Sequence, residues 1–215
     1  MTFDLFDTLP PMPEQFIGAR SIVLRGFAQA EAPALLAAID LVLAASPARS
    51  MITPGGRPMS VASASCGDVG WVTDAQGYRY AAIDPLTRAP WPPMPPALHG
   101  LARRAATAAG FPDFAPDSCL INVYAPGAKM SLHQDRDERD LAAPIVSVSL
   151  GIGATFLFGG LRRIDPAQRV MLGHGDVVVW GGEDRLRFHG ILPVRDAVHP
   201  LTGRRRINLT FRRAR

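Results

Sequence analysis

His133-Gln134-Asp135 sets an imidazole and a carboxylate two positions apart, and a further imidazole, His189, follows well downstream. Two imidazoles and one carboxylate on one face of an octahedron hold iron in non-haem Fe(II) oxygenases and leave three positions free for co-substrate and O2. Taken alone the pattern is weak, because a surface histidine near an aspartate is ordinary. The chain even carries a second copy of it, His174-Gly175-Asp176. That copy falls between two strand patterns, with Asp176 opening the apolar run Val177–Trp180, so it reads as a turn.

A second group lies near the C-terminus. In the stretch 204–212, RRRINLTFR, alternation puts Arg206, Asn208, Thr210 and Arg212 on one strand face and Ile207, Leu209 and Phe211 on the other. If the apolar face packs on a helix or a second sheet, two arginines and an amide point inward. Buried cations need anionic partners. A dicarboxylate such as 2-oxoglutarate would supply both. A solvated edge strand with a basic tail fits this segment equally well.

Both groups need a scaffold. The 215 residues are 47% hydrophobic and 20% charged, which excludes a disordered chain and suits one domain. Gly and Pro, 20 of each, argue against a plain helix bundle. Residues 1–30 read as an irregular lead with a short strand at Ser21–Arg25. Helices are expected over 31–45, with Leu35, Leu36, Ile39, Val42 and Leu43 as its stripe, and over 97–109, with Leu98, Leu101, Ala105 and Ala108 on one face and Gly110 as the stop. Residues 51–95, rich in Gly, Pro, Trp and Tyr, read as hairpins and loops. From residue 118 short strands follow at Leu120–Tyr124, Ile145–Leu150, Thr155–Phe158, Arg169–Leu172, Asp176–Trp180, Arg185–His189 and Arg205–Arg212, separated by turn signals. This spacing implies a β-sandwich or barrel, and a jelly roll backed by two helices is the expected architecture.

The net charge of +4, with pI near 9.7, is weak evidence for a polyanionic partner. Its chemistry says more: Lys129 is the only lysine among 23 basic residues, and arginine grips carboxylates and phosphates bidentately. The longest apolar run, residues 35–45, is interrupted by Asp40 and falls far short of the roughly 20 residues a membrane span needs. The acids and prolines of residues 1–13 do not suit a signal peptide. Cys66 and Cys119 are isolated, so free thiols in a reducing cytoplasm are expected.

The chain resembles the AlkB family of Fe(II)- and 2-oxoglutarate-dependent dioxygenases, which dealkylate nucleic-acid bases. The resemblance is carried by Met51–Met59 (MITPGGRPM), Gly70–Tyr80 (GWVTDAQGYRY), Asn122–Asp135 (NVYAPGAKMSLHQD), Pro144–Gly151 (PIVSVSLG), Phe158–Arg163 (FGGLRR), His174–Gly182 (HGDVVVWGG) and Arg206–Arg212 (RINLTFR). The resemblance implies a mainly β fold with flanking helices: a double-stranded β-helix with an N-terminal nucleotide-recognition lid. It implies one domain over 1–215, with helices and lid up to about 117 and the catalytic core from about 118.

By the same resemblance His133, Asp135 and His189 match the iron ligands. Asn122, Tyr124, Arg206, Asn208 and Arg212 match contacts to 2-oxoglutarate, with Arg206 at its far carboxylate and Arg212 near the keto-acid end. Trp71 and Tyr78 match the aromatic lid, which encloses the substrate base with the ring of His133. Asp137 and Glu138 match acids beside that base, Arg163 a basic residue near the backbone, and Thr53 a phosphate contact. As a residue pattern alone, Trp71 and Tyr78 also read as hairpin or core aromatics, and Asp137 and Glu138 as a solvated acidic loop. Ile207, Arg57 and Ser63 depart from the family pattern, the last two in the expected lid region.

The implied reaction is oxidative demethylation of bases of the 1-methyladenine and 3-methylcytosine type, coupled to decarboxylation of 2-oxoglutarate and consuming O2. Its products are formaldehyde, succinate and CO2, and its role is direct-reversal DNA repair. Single- or double-stranded DNA, or RNA, is the implied partner, without membrane attachment and with the chain acting as a monomer. On this reading Asp135→Ala abolishes formaldehyde release and leaves the fold intact. The competing readings are a dioxygenase of the same superfamily acting on a protein or small molecule, and a non-catalytic nucleic-acid binder.

Overall fold

The computed structural model describes residues 14–215, so the acidic, proline-containing lead falls outside the described residues. Fourteen strands and two helices follow in order: β1 Glu14–Gly18, β2 Ser21–Leu24, α1 Ala32–Ala45, β3 Arg49–Ile52, β4 Pro58–Gly67, β5 Gly70–Asp74, β6 Gly77–Ala81, α2 Pro96–Ala108, β7 Ser118–Tyr124, β8 Met130–His133, β9 Ile145–Gly151, β10 Ala154–Phe158, β11 Gln168–Leu172, β12 Val177–Trp180, β13 His189–Ile191 and β14 Arg206–Arg212. Eight strands form one sheet in the order β1-β2-β12-β9-β14-β7-β4-β3. Four form a second, β11-β10-β13-β8, while β5 and β6 pair only with each other.

Alternation along the strands makes three layers. One face of the large sheet, including Ile207, Leu209, Phe211, Val146 and Val148, packs on Leu35, Ile39, Leu98 and Leu101 of the two helices. Its other face, with Val23, Tyr124, Ile145 and Val178, meets Phe156, Phe158, Val170 and Ile191 of the small sheet. The apolar side of β14 therefore lies against helices, and Arg206, Asn208, Thr210 and Arg212 line a cavity on its other side. This is the jelly roll expected from the strand pattern, backed by helices.

Several expectations change. The strand expected at Arg185–His189 is absent: Gly182–Asp184 forms a 3-10 turn, with Gly182 at φ +52°, and the strand there begins at His189. The Asp184 carboxylate, accepting hydrogen bonds from the Arg20 amide and the Ser21 hydroxyl at 2.7 Å, pins this turn to the edge of the large sheet. Within 51–95 the expected hairpins form, β3 with β4 and β5 with β6, but β4 also runs on as a ten-residue strand of the large sheet. Its run of Ser and Ala has too little apolar contrast to announce a strand. Ser63, expected in the lid, sits in that strand 1% exposed. In α2 the buried face turns toward Ala102 and Ala106, and Ala108 is exposed. The second HxD is a turn, as expected: Gly175 has φ +84°, and Asp176 accepts from Arg25 and from the Gly26 and Gly173 amides. No helix among the described residues is long and apolar enough to cross a membrane.

Candidate active site

A cavity of about 450 Å³ opens between the two sheets at the end where β8 and β13 meet. These strands pair so that His133 and His189 are direct partners, with ring centroids 4.4 Å apart. Asp135, in the loop just past β8, brings its two carboxylate oxygens to 3.7 Å from Nε2 of each histidine. One ligand atom from each of the three residues lies within 4.8 Å of the others. The Nδ1 atoms face the backbone carbonyls of Ser131 and Arg187 at 2.9 and 3.0 Å. A carbonyl can only accept, so Nδ1 carries the proton and each Nε2 lone pair is turned toward Asp135.

The electrostatics suit a cation. Burial, then His133 beside it, pushes the His189 imidazole down to about 4, so the ring is neutral at pH 7 and free to ligate. Burial opposes the charge of Asp135, but the Arg212 guanidinium, and after it the two imidazoles, hold the carboxyl well below the usual carboxylate range. Arg212 donates from Nη2 at 2.7 Å and Nε at 3.1 Å to one oxygen of Asp135.

Glycine between the ligands matters. A Cβ on Gly190 would stand 2.7 Å from the Met130 carbonyl oxygen, so β8, and His133 with it, must shift. Gly190→Ala is expected to weaken divalent-metal binding about tenfold or more, as lost ligand orientation does. Titration of the metal-free protein with Mn2+ measures this.

Deeper in the cavity Arg206 is 1% exposed. It donates from Nη2 to Ser149 Oγ at 3.0 Å and stands 4.9 Å over the Tyr124 ring, while its Nε and Nη1 have no partner. Burial lowers its pKa from the ordinary arginine value. Two orphaned donors on a buried cation suit a carboxylate, and two imidazoles with a carboxylate suit Fe(II). Asn208 is anchored to Ser147 Oγ and the Val148 carbonyl. Asn122 accepts from Ser63 Oγ at 2.8 Å, which gives Ser63 its place.

At the mouth, Trp71 and Tyr78 stack with centroids 5.6 Å apart and planes 17° from parallel. Trp71 pairs with Tyr80 across the hairpin, so Tyr78 is its diagonal neighbour, within aromatic reach. Trp71 Nε1 donates to Asp137 at 3.0 Å, which ties the acidic loop to the hairpin. Arg163 donates to the Leu132 carbonyl and lies 4.9 Å over the Phe188 ring. Thr53 lines the mouth, and its hydroxyl accepts from the amide of exposed Arg57 at 3.1 Å.

Of the residues given a metal, co-substrate or substrate role from sequence, Glu138 alone lies outside the cavity wall. It is 7% exposed and bound to Arg185, Arg212 and Tyr80, because the loop turns it inward while Asp137 faces the mouth. Three residues of this centre were not singled out: Ser149, which holds Arg206; Arg185; and Trp180, packed edge-on against His189 at 4.9 Å with its Nε1 unpartnered. Each reads as an ordinary strand or loop residue until the sheets are assembled.

A double-layered β fold with a His-Asp-His centre and a buried arginine defines an Fe(II)/2-oxoglutarate dioxygenase, and the 2OG-Fe(II) oxygenase superfamily matches the chain over residues 21–212. The alpha-ketoglutarate-dependent dioxygenase AlkB of Escherichia coli is 59% identical over 98% of this chain and 97% of its own length. The human nucleic acid dioxygenase ALKBH1 is 34% identical over 56% of this chain and 31% of its own. The solved structure of OsALKBH1 superposes with a TM-score of 0.78 at 28% identity, covering 93% of this chain and 99% of that one. The chain belongs to the AlkB family within this superfamily. Fe(II), 2-oxoglutarate and O2 are the cofactors the residues present are built for.

Proposed function

We propose that this enzyme oxidatively demethylates bases of the 1-methyladenine and 3-methylcytosine type in nucleic acid, and so repairs DNA by direct reversal. Bound Fe(II), with 2-oxoglutarate and O2, supplies the oxidation that converts an N-methyl group to hydroxymethyl, from which formaldehyde leaves while succinate and CO2 form. His133, Asp135 and His189 hold the metal. Arg206, with Nε and Nη1 unpartnered, would hold the far carboxylate of 2-oxoglutarate, and Asn122, Tyr124 and Asn208 line the cavity that would receive it. Arg212 orients the Asp135 carboxylate.

The observation that carries the substrate reading is the Trp71–Tyr78 stack, joined to the Asp137 carboxylate at the mouth of the metal cavity. An N-methylated base is buried in a duplex and must be flipped out at a cost of a few kcal/mol, which stacking between Trp71 and His133 offsets in part. Such a base is cationic, so the Asp137 carboxylate favours it over its neutral parent. Arg163 and Thr53 at the rim take the phosphodiester backbone. One chain supplies the whole site, which supports action as a monomer. The two free, buried cysteines suit the cytoplasm.

The test is release of formaldehyde and succinate from methylated single-stranded DNA, with and without iron. Steady 2-oxoglutarate turnover without formaldehyde, or preference for a methylated peptide, would overturn the reading. Trp71→Ala is expected to cost roughly 1–3 kcal/mol of oligonucleotide affinity, measured by fluorescence anisotropy.

A further inference from the structure

Around the metal carboxylate lies a buried cluster, two of whose members, Glu138 and Arg185, have no part in the proposed reaction. Asp135, Glu138, Arg185 and Arg212 are 7%, 7%, 3% and 5% exposed, two anions and two cations balanced in a buried space. Glu138 Oε1 lies 3.3 Å from Arg212 Nε, and its Oε2 lies 3.1 Å from Arg185 Nη2. Each arginine in turn holds the metal ligand. Arg212 grips the Asp135 carboxylate at 2.7 Å, and Arg185 Nη1 donates to the Asp135 backbone carbonyl at 2.6 Å. Asp135 is thus fixed at side chain by Arg212 and at backbone by Arg185, and the two guanidiniums share Glu138 as an anionic partner. The Tyr80 hydroxyl, on β6 of the mouth hairpin, donates to Glu138 Oε1 at 2.6 Å.

Charge sets the consequence. A divalent cation at the triad competes with Arg212 for a single carboxylate. Without Glu138, Arg212 would rely on that carboxylate alone and would stand as an unneutralised charge beside the metal. Glu138 lies outside the cavity wall, so it neither ligates the metal nor touches substrate. We infer that Glu138 is a positioning residue for the metal carboxylate, acting through Arg212 and Arg185, and that Tyr80 ties the mouth hairpin to it. The inference rests on the metal site and is independent of which substrate the enzyme takes.

The test is titration of the metal-free enzyme with Mn2+, which reads affinity without turnover, alongside the thermal midpoint of each variant. Glu138→Gln keeps the shape and removes the charge, and is expected to weaken Mn2+ about tenfold, the usual effect of losing a partner behind a metal ligand. Glu138→Asp, which keeps the charge, recovers part of that loss. Tyr80→Phe removes one oxygen and is expected to weaken Mn2+ about threefold, the scale of one hydrogen bond. If Glu138→Gln does not fold, the Tyr80→Phe value decides. Folded variants that bind Mn2+ within twofold of wild type would show a scaffold only and overturn the inference. A wild-type chain that binds no Mn2+ would overturn the metal-site reading along with it.

Discussion

Arg206→Met is expected to make the ligand-free enzyme more stable while abolishing its use of 2-oxoglutarate. The guanidinium is fully buried, and only Nη2 has a hydrogen-bond partner, so folding strips water from Nε and Nη1 and returns no hydrogen bond, only the face of the Tyr124 ring. Replacing such a buried charge with an apolar side chain of similar length is neutral to stabilising, by up to about 1–4 kcal/mol. In a chain of this size that raises the melting temperature by roughly 2–4 °C per kcal/mol. The same substitution removes the charge-assisted partner of the co-substrate carboxylate, worth roughly 2–5 kcal/mol or more. Thermal denaturation and 2-oxoglutarate titration read the two effects separately. A variant less stable than the parent would mean that the cation already has its partners in the absence of ligand.

Asp135→Ala carries the opposite sign on stability. It deletes one of three metal ligands, so metal binding and formaldehyde release fall to background. It also leaves Arg212 buried with only Glu138 beside it. Breaking a buried ion pair from one side costs about 3–5 kcal/mol. Sequence alone presents Asp135 as a ligand whose removal leaves the fold intact, whereas the structure makes it a ligand and a structural counter-ion together. Asp135→Asn, which still accepts from Arg212 Nη2, is expected to lose the metal and recover part of the stability. Denaturant melts of both variants check this, and equal midpoints for Asp135→Ala and wild type would refute the structural half.

These two residues show where the chain was legible. The period-2 pattern of β14 foretold that Arg206 and Arg212 share one face, because alternation is a property of one strand and needs no partner; that this face is the inward one is decided only when the apolar face packs on the helices. The triad, weak alone, was legible through its company, the alternating arginines of β14 and the family motifs around it, and the turn character of Gly175 disposed of its rival. What sequence did not carry is what each arginine meets once inside. Arg206 keeps two donors open, and Arg212 meets Asp135 and Glu138, a difference set by strands and loops far apart in the chain. Asp137 and Glu138 are neighbours in sequence, and nothing in their types says that the loop sends one to the mouth and the other inward. The expected strand at 185–189 failed for a related reason. Its alternation of Arg185 and Arg187 with Leu186 and Phe188 imitates a half-buried strand, yet Arg185 is the buried residue, drawn in by Glu138.

The hairpin of β5 and β6 shares no ladder with either large sheet. Its register is set at its own turn, where Asp74 accepts the Gln76 amide at 2.8 Å and Gly77 takes φ +110°, and by Val72, buried against Met51 and Trp91. A slip of one residue there would turn Trp71 or Tyr78 away from the cavity and release the Trp71–Asp137 and Tyr80–Glu138 side-chain bonds, without breaking a ladder hydrogen bond of the two larger sheets. Substrate choice is thereby stored at a distance, in a surface turn that touches neither iron nor base. Natural variation and protein engineering can edit that turn without replacing any of the three metal ligands.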